Sequence, residues 1–330
     1  MFLILSVTLP FFGLVLCGYL AARQRVLPEA AIPGLNTFVL YFALPAMLFR
    51  FGSGMPFREL IDIALVLIYL VSALLMVFVT IAVTWGAGAK GVDLRDAAFG
   101  ALVAAFPNTG FMGVPLLVAL MGSQAAGPAI GTILVDLIVT STLCISLAQV
   151  QAQPAGLPGA SSGAVVAGLR ALRGALTNPL PWSIALGALA AAVGLVLPGP
   201  IDQIIKMLAD AATPVALFTI GAVLWRAGQH AHTRTPVGKY LPVASIKLLV
   251  HPALVLSLGV LASFFGIDVP AAGLTVMVLV AALPSASSVS LLAERFGADN
   301  GRVARIIMAS TVLAFATFSI LAWAFGVSAG

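Results

Sequence analysis

The stretch Ala105-Phe106-Pro107-Asn108-Thr109-Gly110-Phe111-Met112-Gly113-Val114-Pro115 lies in a long apolar run, yet it cannot form a straight helix. Pro107 removes a backbone donor and clashes with the preceding turn. Gly110 and Gly113 add backbone freedom. Pro115 fits early in a new helix, where its missing donor costs nothing. Asn108 and Thr109 are capping residue types placed where that second half-helix would begin. A second break follows at Pro284-Ser285-Ala286-Ser287-Ser288, again proline followed by hydroxyls of the capping type.

Both breaks fall at membrane depth. Of 330 residues, 61% are hydrophobic and 8% charged, with 16 Lys+Arg against 11 Asp+Glu. An ordinary soluble domain is roughly 25% charged. A water-soluble globule and a disordered chain are therefore both excluded. The apolar runs are continuous, as over 63–85, and do not alternate, which argues helices over a barrel. A spanning helix takes about 20 residues. Ten such runs lie at about 2–21, 32–51, 60–85, 94–120, 127–150, 181–197, 201–224, 240–265, 271–296 and 302–326. The fourth and ninth are the broken ones. The first has neither a charged flank nor a cleavage pattern and reads as a retained helix. The Gln-, Pro-, Gly- and Ser-rich stretch 151–177 is the link between two halves, 1–150 and 178–330. Cys17 and Cys144 sit in apolar runs without metal-ligand neighbours and read as packing residues.

The basic residues set an orientation. Arg23, Arg25, Lys90, Arg95, Arg170, Arg173, Arg226, Arg234, Lys239, Arg295, Arg302 and Arg305 all fall on the face that carries the link. Arg50, Arg58 and Lys206 fall on the other, and Lys247 lies within the eighth span. The positive-inside rule then makes the 151–177 link cytoplasmic and both termini non-cytoplasmic in a multi-pass protein of the cell (inner) membrane. The net charge of +5 is an orientation signal and not a nucleic-acid footprint.

Internal similarity pairs span n with span n+5. Leu44-Pro45-Ala46-Met47-Leu48-Phe49 with Gly52 matches Thr213-Pro214-Val215-Ala216-Leu217-Phe218 with Gly221. Ala104-Ala105-Phe106-Pro107 matches Ala281-Ala282-Leu283-Pro284. Because five is odd, the halves must lie in opposite orientation, the inverted-repeat pattern of secondary transporters. The fold expected is an all-α polytopic membrane protein of ten helices in two inverted five-helix repeats. Its breaks in spans four and nine cross near the midplane. Unwound backbone there is tolerated only when buried in protein or lining a wet cavity. Free amides and positive helix ends would converge on one point suited to an anion such as a carboxylate. Asn108, Ser285 and Ser287 would add side-chain hydrogen bonds. The expected substrate site is Pro107, Asn108, Thr109, Gly110, Pro284, Ser285, Ala286 and Ser287.

Few charges sit inside the spans. Asp136 is in the middle of the fifth. A carboxylate there costs on the order of 2.5–3.5 kcal/mol unless paired or protonated, which makes it a candidate proton carrier. Lys247 and His251 lie one turn apart in the eighth span. Lys247 would pair with Asp136 or meet an anionic substrate; the bland alternative is a structural pair between helices. Lys206 and Asp210 read as an interfacial salt bridge. His230 and His232 lack a third ligand and mark no metal site. No Gly-Lys-Ser/Thr phosphate motif occurs, which argues against an ATP-driven pump.

The run Leu35 to Phe49, the crossover Phe106 to Leu116, and Lys247-Leu-Leu-Val-His251-Pro252 resemble the auxin efflux carrier family in its bacterial form. That family is related to the bile-acid/sodium symporter fold. The resemblance implies ten helices, with spans 1–2 and 6–7 as a scaffold and dimer platform. Spans 3–5 and 8–10 would form a transport domain moving by an elevator mechanism. It implies malate, malonate or auxin-like carboxylates as substrates, held by Asn108 and the backbone after Pro107 and Pro284. The expected partners are a small organic anion, the lipid bilayer and a second copy of the chain, with no nucleic acid. No cofactor is expected beyond proton or sodium coupling. The link is short, so regulation through a long loop is not expected, and the second crossover offers serines where the first has asparagine. The alternatives are a sodium-coupled symporter of the bile-acid type, with oxygen ligands from Asp136, Asn108, Thr109 and crossover carbonyls; an intramembrane enzyme, for which Ser287 or Ser288 with His251 is the conceivable pair; and a receptor or channel.

Overall fold

A computed structural model describes residues 2–55, 61–86, 91–150, 160–229 and 235–327. In chain order its helices are α1 (Phe2–Arg23), α2 (Glu29–Ser53), α3 (Ile63–Thr84), α4 (Leu94–Ala105), α5 (Thr109–Met121), α6 (Ser123–Val150), α7 (Ala160–Leu176), α8 (Pro179–Ala192), α9 (Gly199–Gln229), α10 (Val237–Phe264), α11 (Ala271–Ala281), α12 (Ser288–Arg295) and α13 (Asn300–Ala324). Among the described residues there is no sheet, and strand-type pairing is limited to two isolated bridges, Trp85 with Val92 and Pro107 with Ser285. By length and composition α1, α2, α3, α6, α9, α10 and α13 are long and apolar enough to cross a membrane, while α5, α8 and α11 are shorter apolar helices. The fourth and ninth predicted spans are each two half-helices, α4 with α5 and α11 with α12. Arg58, Lys90, His230, His232, Arg234 and residues 151–159 of the link lie outside the described residues.

The rest of the link is less irregular than its composition suggests. Residues 160–176 form α7, which packs along the end of α6. Ala, Leu, Val and Arg are frequent enough there to outweigh the Gly and Ser. Gly168 sets the approach, since a Cβ would stand 2.5 Å from Ser146 Oγ. Among the described residues, four helices start with a side-chain cap: Asp62 accepts from Leu65 N, Asp93 from Asp96 N, Asn178 from Leu180 N and Asp299 from Arg302 N. These satisfy amides that a helix start leaves without partners.

Two helix pairs touch backbone to backbone. α1 crosses α9 where a Cβ on Gly18 would lie 1.8 Å from Phe218 O and one on Gly221 1.9 Å from Val15 O. α2 crosses α8 in the same way, with Gly52 against Ile184 O (2.9 Å) and Gly187 against Phe49 O (2.4 Å). In lipid, where apolar side chains gain little by leaving the solvent, such close approach is what holds helices together. The Gly52 and Gly221 of the sequence repeat are thus the contact points of these pairs.

At the opposite end from the α2–α9 ion pair of Arg50 with Asp202 (2.8 Å), buried Arg302 ties three helices. Its Nε donates to Lys239 O (2.9 Å) and its Nη1 to Asp96 O (2.7 Å). Asp96 Oδ1 accepts from Asp299 N (2.8 Å), and Arg95 Nη1 donates to Gly297 O (3.1 Å). The starts of α4, α10 and α13 are thereby clasped. Gly100 makes room, for a Cβ there would stand 2.9 Å from the guanidinium. The predicted Lys206–Asp210 salt bridge does not form. Both side chains are exposed, and Arg50 takes Asp202 instead, the only ion pair within 4.0 Å among the described residues.

Candidate functional site

The two breaks meet. Asn108 N donates to Pro284 O (2.8 Å) and Ala286 N to Phe106 O (2.9 Å), an antiparallel bridge centred on Pro107 and Ser285. Neither proline can donate, so each contributes only what it has. Pro284 offers its carbonyl, and Pro107 sits between the two bonds. Like any antiparallel pair, the bridge has a local two-fold, here relating Pro107 to Ser285, one residue out of register with the Pro107/Pro284 repeat. Gly113 lets α5 close onto it, with a Cβ position only 2.5 Å from Leu283 Cδ1.

This arrangement corrects the expected supply of free amides. Those of Asn108 and Ala286 are consumed by the bridge, Thr109 N turns back to Pro107 O (2.8 Å), and Ser285 N donates to Ser310 Oγ (3.2 Å). Among the described residues, the amides of Gly110, Phe111, Ser287 and Ser288 have no acceptor. They lie at the starts of α5 and α12, where the helix dipoles add positive potential.

The expected side-chain caps also do not form. Asn108 precedes α5 and Ser287 precedes α12, yet neither side chain makes a capping hydrogen bond. Met112 N and Gly113 N both donate to the backbone carbonyl of Asn108 (3.1 and 3.0 Å). The first turn of α5 is therefore π-helical and needs no side-chain acceptor. Both side chains remain at 4% exposure, and Thr109 Oγ1 is buried without a partner. Buried polar groups are normally hydrogen-bonded, so the orphaned Thr109 hydroxyl beside the unpaired amides makes the crossover a candidate ligand site. Open space is present, since a Cβ on Gly110 would meet nothing within 4 Å and Ser288 is exposed. Ser285 faces away: its hydroxyl accepts from Ser310 (3.2 Å), as its amide donates to the same oxygen. Pro107, Asn108, Thr109, Gly110, Pro284, Ser285, Ala286 and Ser287 are thus all brought together. Asn108, Thr109, Gly110 and Ser287 hold the free polar groups.

A second buried cluster lies beside it. Asp136 sits in a π-helical turn of α6, Asp136–Thr140. Tyr69 of α3 donates to its Oδ2 (2.9 Å) and Thr140 to its Oδ1 (3.2 Å). Lys247 sits in a π-helical turn of α10, Ile246–Val250. Its Nζ donates to Ala281 O at the end of α11 (2.6 Å) and lies 3.2 Å from His251 Nδ1. The His251 ring stands against Tyr69 at 5.7 Å between centroids, and its Nε2 is buried without a partner. Lys247 and Asp136 do not close to an ion pair within 4.0 Å. No hydrogen bond joins His251 to Ser287 or Ser288, so the conceivable nucleophile–base pair is not assembled. Nothing in the sequence pattern singles out Tyr69, Thr140 or Ser310. Their signal is weak, because isolated hydroxyls in apolar spans are common and usually bond their own helix.

Comparison with known proteins bears on what the site does. The family model described as membrane transport protein matches residues 3–323. A Rhizobium meliloti (strain 1021) protein named "Putative malonate transporter" is 31% identical over 322 residues, covering 95% of this chain and 93% of that one. The Escherichia coli (strain K12) "Uncharacterized transporter YfdV" is 27% identical, covering 93% and 92%. "Auxin efflux carrier component 8" of Arabidopsis thaliana is 26% identical, covering 85% and 86%.

Proposed function

Because this chain belongs to the membrane transport protein family, that of the auxin efflux carriers, we propose that it is a secondary carrier of small carboxylates bound at the crossover of its two broken spans. The observation that carries this reading is the pair of half-helix starts whose capping residues do not cap. Asn108 and Ser287 keep their side chains free beside the unpaired amides of Gly110, Phe111, Ser287 and Ser288. A carboxylate accepts several such donors at once, and each helix start contributes about 0.3–1 kcal/mol, up to ~2 when desolvated. The names of the relatives, which mention malonate and auxin, point to the same class.

Ten spans in two inverted repeats are the architecture that best accounts for the packing. Moving each span five places along converts the α2–α8 glycine pair into the α9–α1 pair. An elevator mechanism fits the division of contacts. α1, α2, α8 and α9 are locked by glycine-mediated backbone contact as the scaffold, and the clasp around Arg302 unites α4, α10 and α13 on the transport side. A homodimer through the scaffold and an inner-membrane orientation with both termini outside complete the reading. Asp136, held by two hydroxyls, is the coupling proton site.

The test is uptake of labelled malonate, malate and indole acetate into proteoliposomes, with imposed proton or sodium gradients. Saturable, gradient-driven flux of a carboxylate is expected. Absence of flux for all three, in protein that is folded and inserted, would sink the reading.

A further inference from the structure

Lys247 is an unusual resident of a membrane interior. Its side chain is fully buried, it lacks an ion-pair partner within 4.0 Å, and its one direct protein acceptor besides His251 is a backbone carbonyl. That carbonyl, Ala281 O, belongs to the last residue of α11. The final carbonyls of a helix have no partners within it and carry the negative end of its dipole. In α11 the carbonyls of Val278, Leu279 and Val280 are taken by Ala282 N and Leu283 N, which leaves Ala281 O facing the break. Broken-helix carbonyl ends of this kind are where sodium-coupled transporters coordinate their ion. Here the position is filled by an ammonium on a covalent stem. Lys247 lies in the π-helical turn Ile246–Val250, a kind of insertion frequent at functional sites.

We propose that Lys247 is a tethered cation that fills the ion position at the carbonyl end of α11, so that the protein operates without sodium. The transport consequence rests on the carrier reading above; the occupancy itself does not. With the cation built in, the carbonyl end of α11 has its partner already in place. A free ion would have to arrive and leave.

The experiment follows thermal unfolding of the purified protein in detergent, which needs no substrate. Wild-type Tm is expected to stay flat when choline chloride is replaced by sodium chloride at constant ionic strength. Lys247→Ala removes the atoms that propylammonium would replace. That variant is expected to lose stability and regain at least about 3 °C, saturably, with sodium or propylammonium, but not with propanol. Lys247→Met fills the space without charge and is expected to respond to neither. A saturable rise of wild-type Tm with sodium would overturn the proposal, as would a folded Lys247→Ala that responds to no cation. If Lys247→Ala cannot be purified, the wild-type titration decides alone. Failure of carboxylate uptake would count against the carrier reading and leave these outcomes unaffected.

Discussion

Gly110 offers a separation of binding from stability. It lies at the start of α5, between the bridge and the open side of the crossover, and a Cβ there would meet nothing within 4 Å. Its backbone is not in the left-handed region, so alanine is free to adopt it. Replacing glycine by alanine in such a position gains roughly 0.4–1 kcal/mol by restricting the unfolded chain. Gly110→Ala should therefore fold at least as well as the wild type. The new methyl, however, occupies the space from which a carboxylate would reach the amides of Gly110 and Phe111. Losing one or two of those hydrogen bonds costs about 1–3 kcal/mol, which is roughly 5- to 150-fold in affinity. Gly110→Leu, with three further carbons, should abolish binding while still inserting. The contrast is Gly113→Ala, whose Cβ would stand 2.5 Å from Leu283 Cδ1 and 3.2 Å from Thr109 Cγ2. Overpacking there should cost about 1–3 kcal/mol of stability. Tm and the concentration dependence of malonate uptake, measured on the same preparations, separate the two effects. If Gly110→Ala and Gly110→Leu transport with wild-type affinity, the open side of the crossover is not the substrate side.

Three further outcomes follow from the same geometry. Asn108→Ala leaves the backbone bridge to Pro284 intact, so it should weaken carboxylate binding about tenfold without changing Tm; equal binding would remove Asn108 from the site. Asp136→Asn keeps the size of the side chain and one of the two oxygens that accept from Tyr69 and Thr140 while removing the titrating group, and should flatten the pH profile of uptake; a wild-type profile would move the coupling elsewhere. Gly100→Ala drives a methyl into the Arg302 guanidinium, 2.9 Å away. It should destabilise the protein by about 1–3 kcal/mol, and an unchanged unfolding midpoint would show that the clasp yields without cost.

The breaks were legible because proline has few ways to be accommodated inside an apolar run. Pro107 and Pro284 announce themselves whatever surrounds them, and the repeat Pro45/Pro214 with Gly52/Gly221 carried its packing role openly. What the breaks do with their hydrogen bonds was not legible. Asn108 and Ser287 have capping chemistry, but whether a residue caps depends on the turn that follows it. At Asn108 a π-helical turn takes the backbone carbonyl and releases the side chain. Lys247 was visible as a charge in the wrong place, while its partner was a main-chain carbonyl 34 residues away, which no side-chain pattern encodes. The link 151–177 misled in the opposite direction, because composition averages over a segment whose second part, 160–176, is helix.

The bridge between Pro107 and Ser285 has a consequence for how the protein is made. The gap in the first half is closed by carbonyl and amide groups from the second, so it stays open until Ala286 has left the ribosome. At roughly 5–20 residues per second, that wait is on the order of ten to thirty seconds, during which unpaired backbone must be sheltered from lipid. Variants that fail to accumulate in cells need not be poor carriers. Some of them, at Phe106, Pro107 or Asn108, would be chains that a membrane quality-control protease reached before their other half arrived.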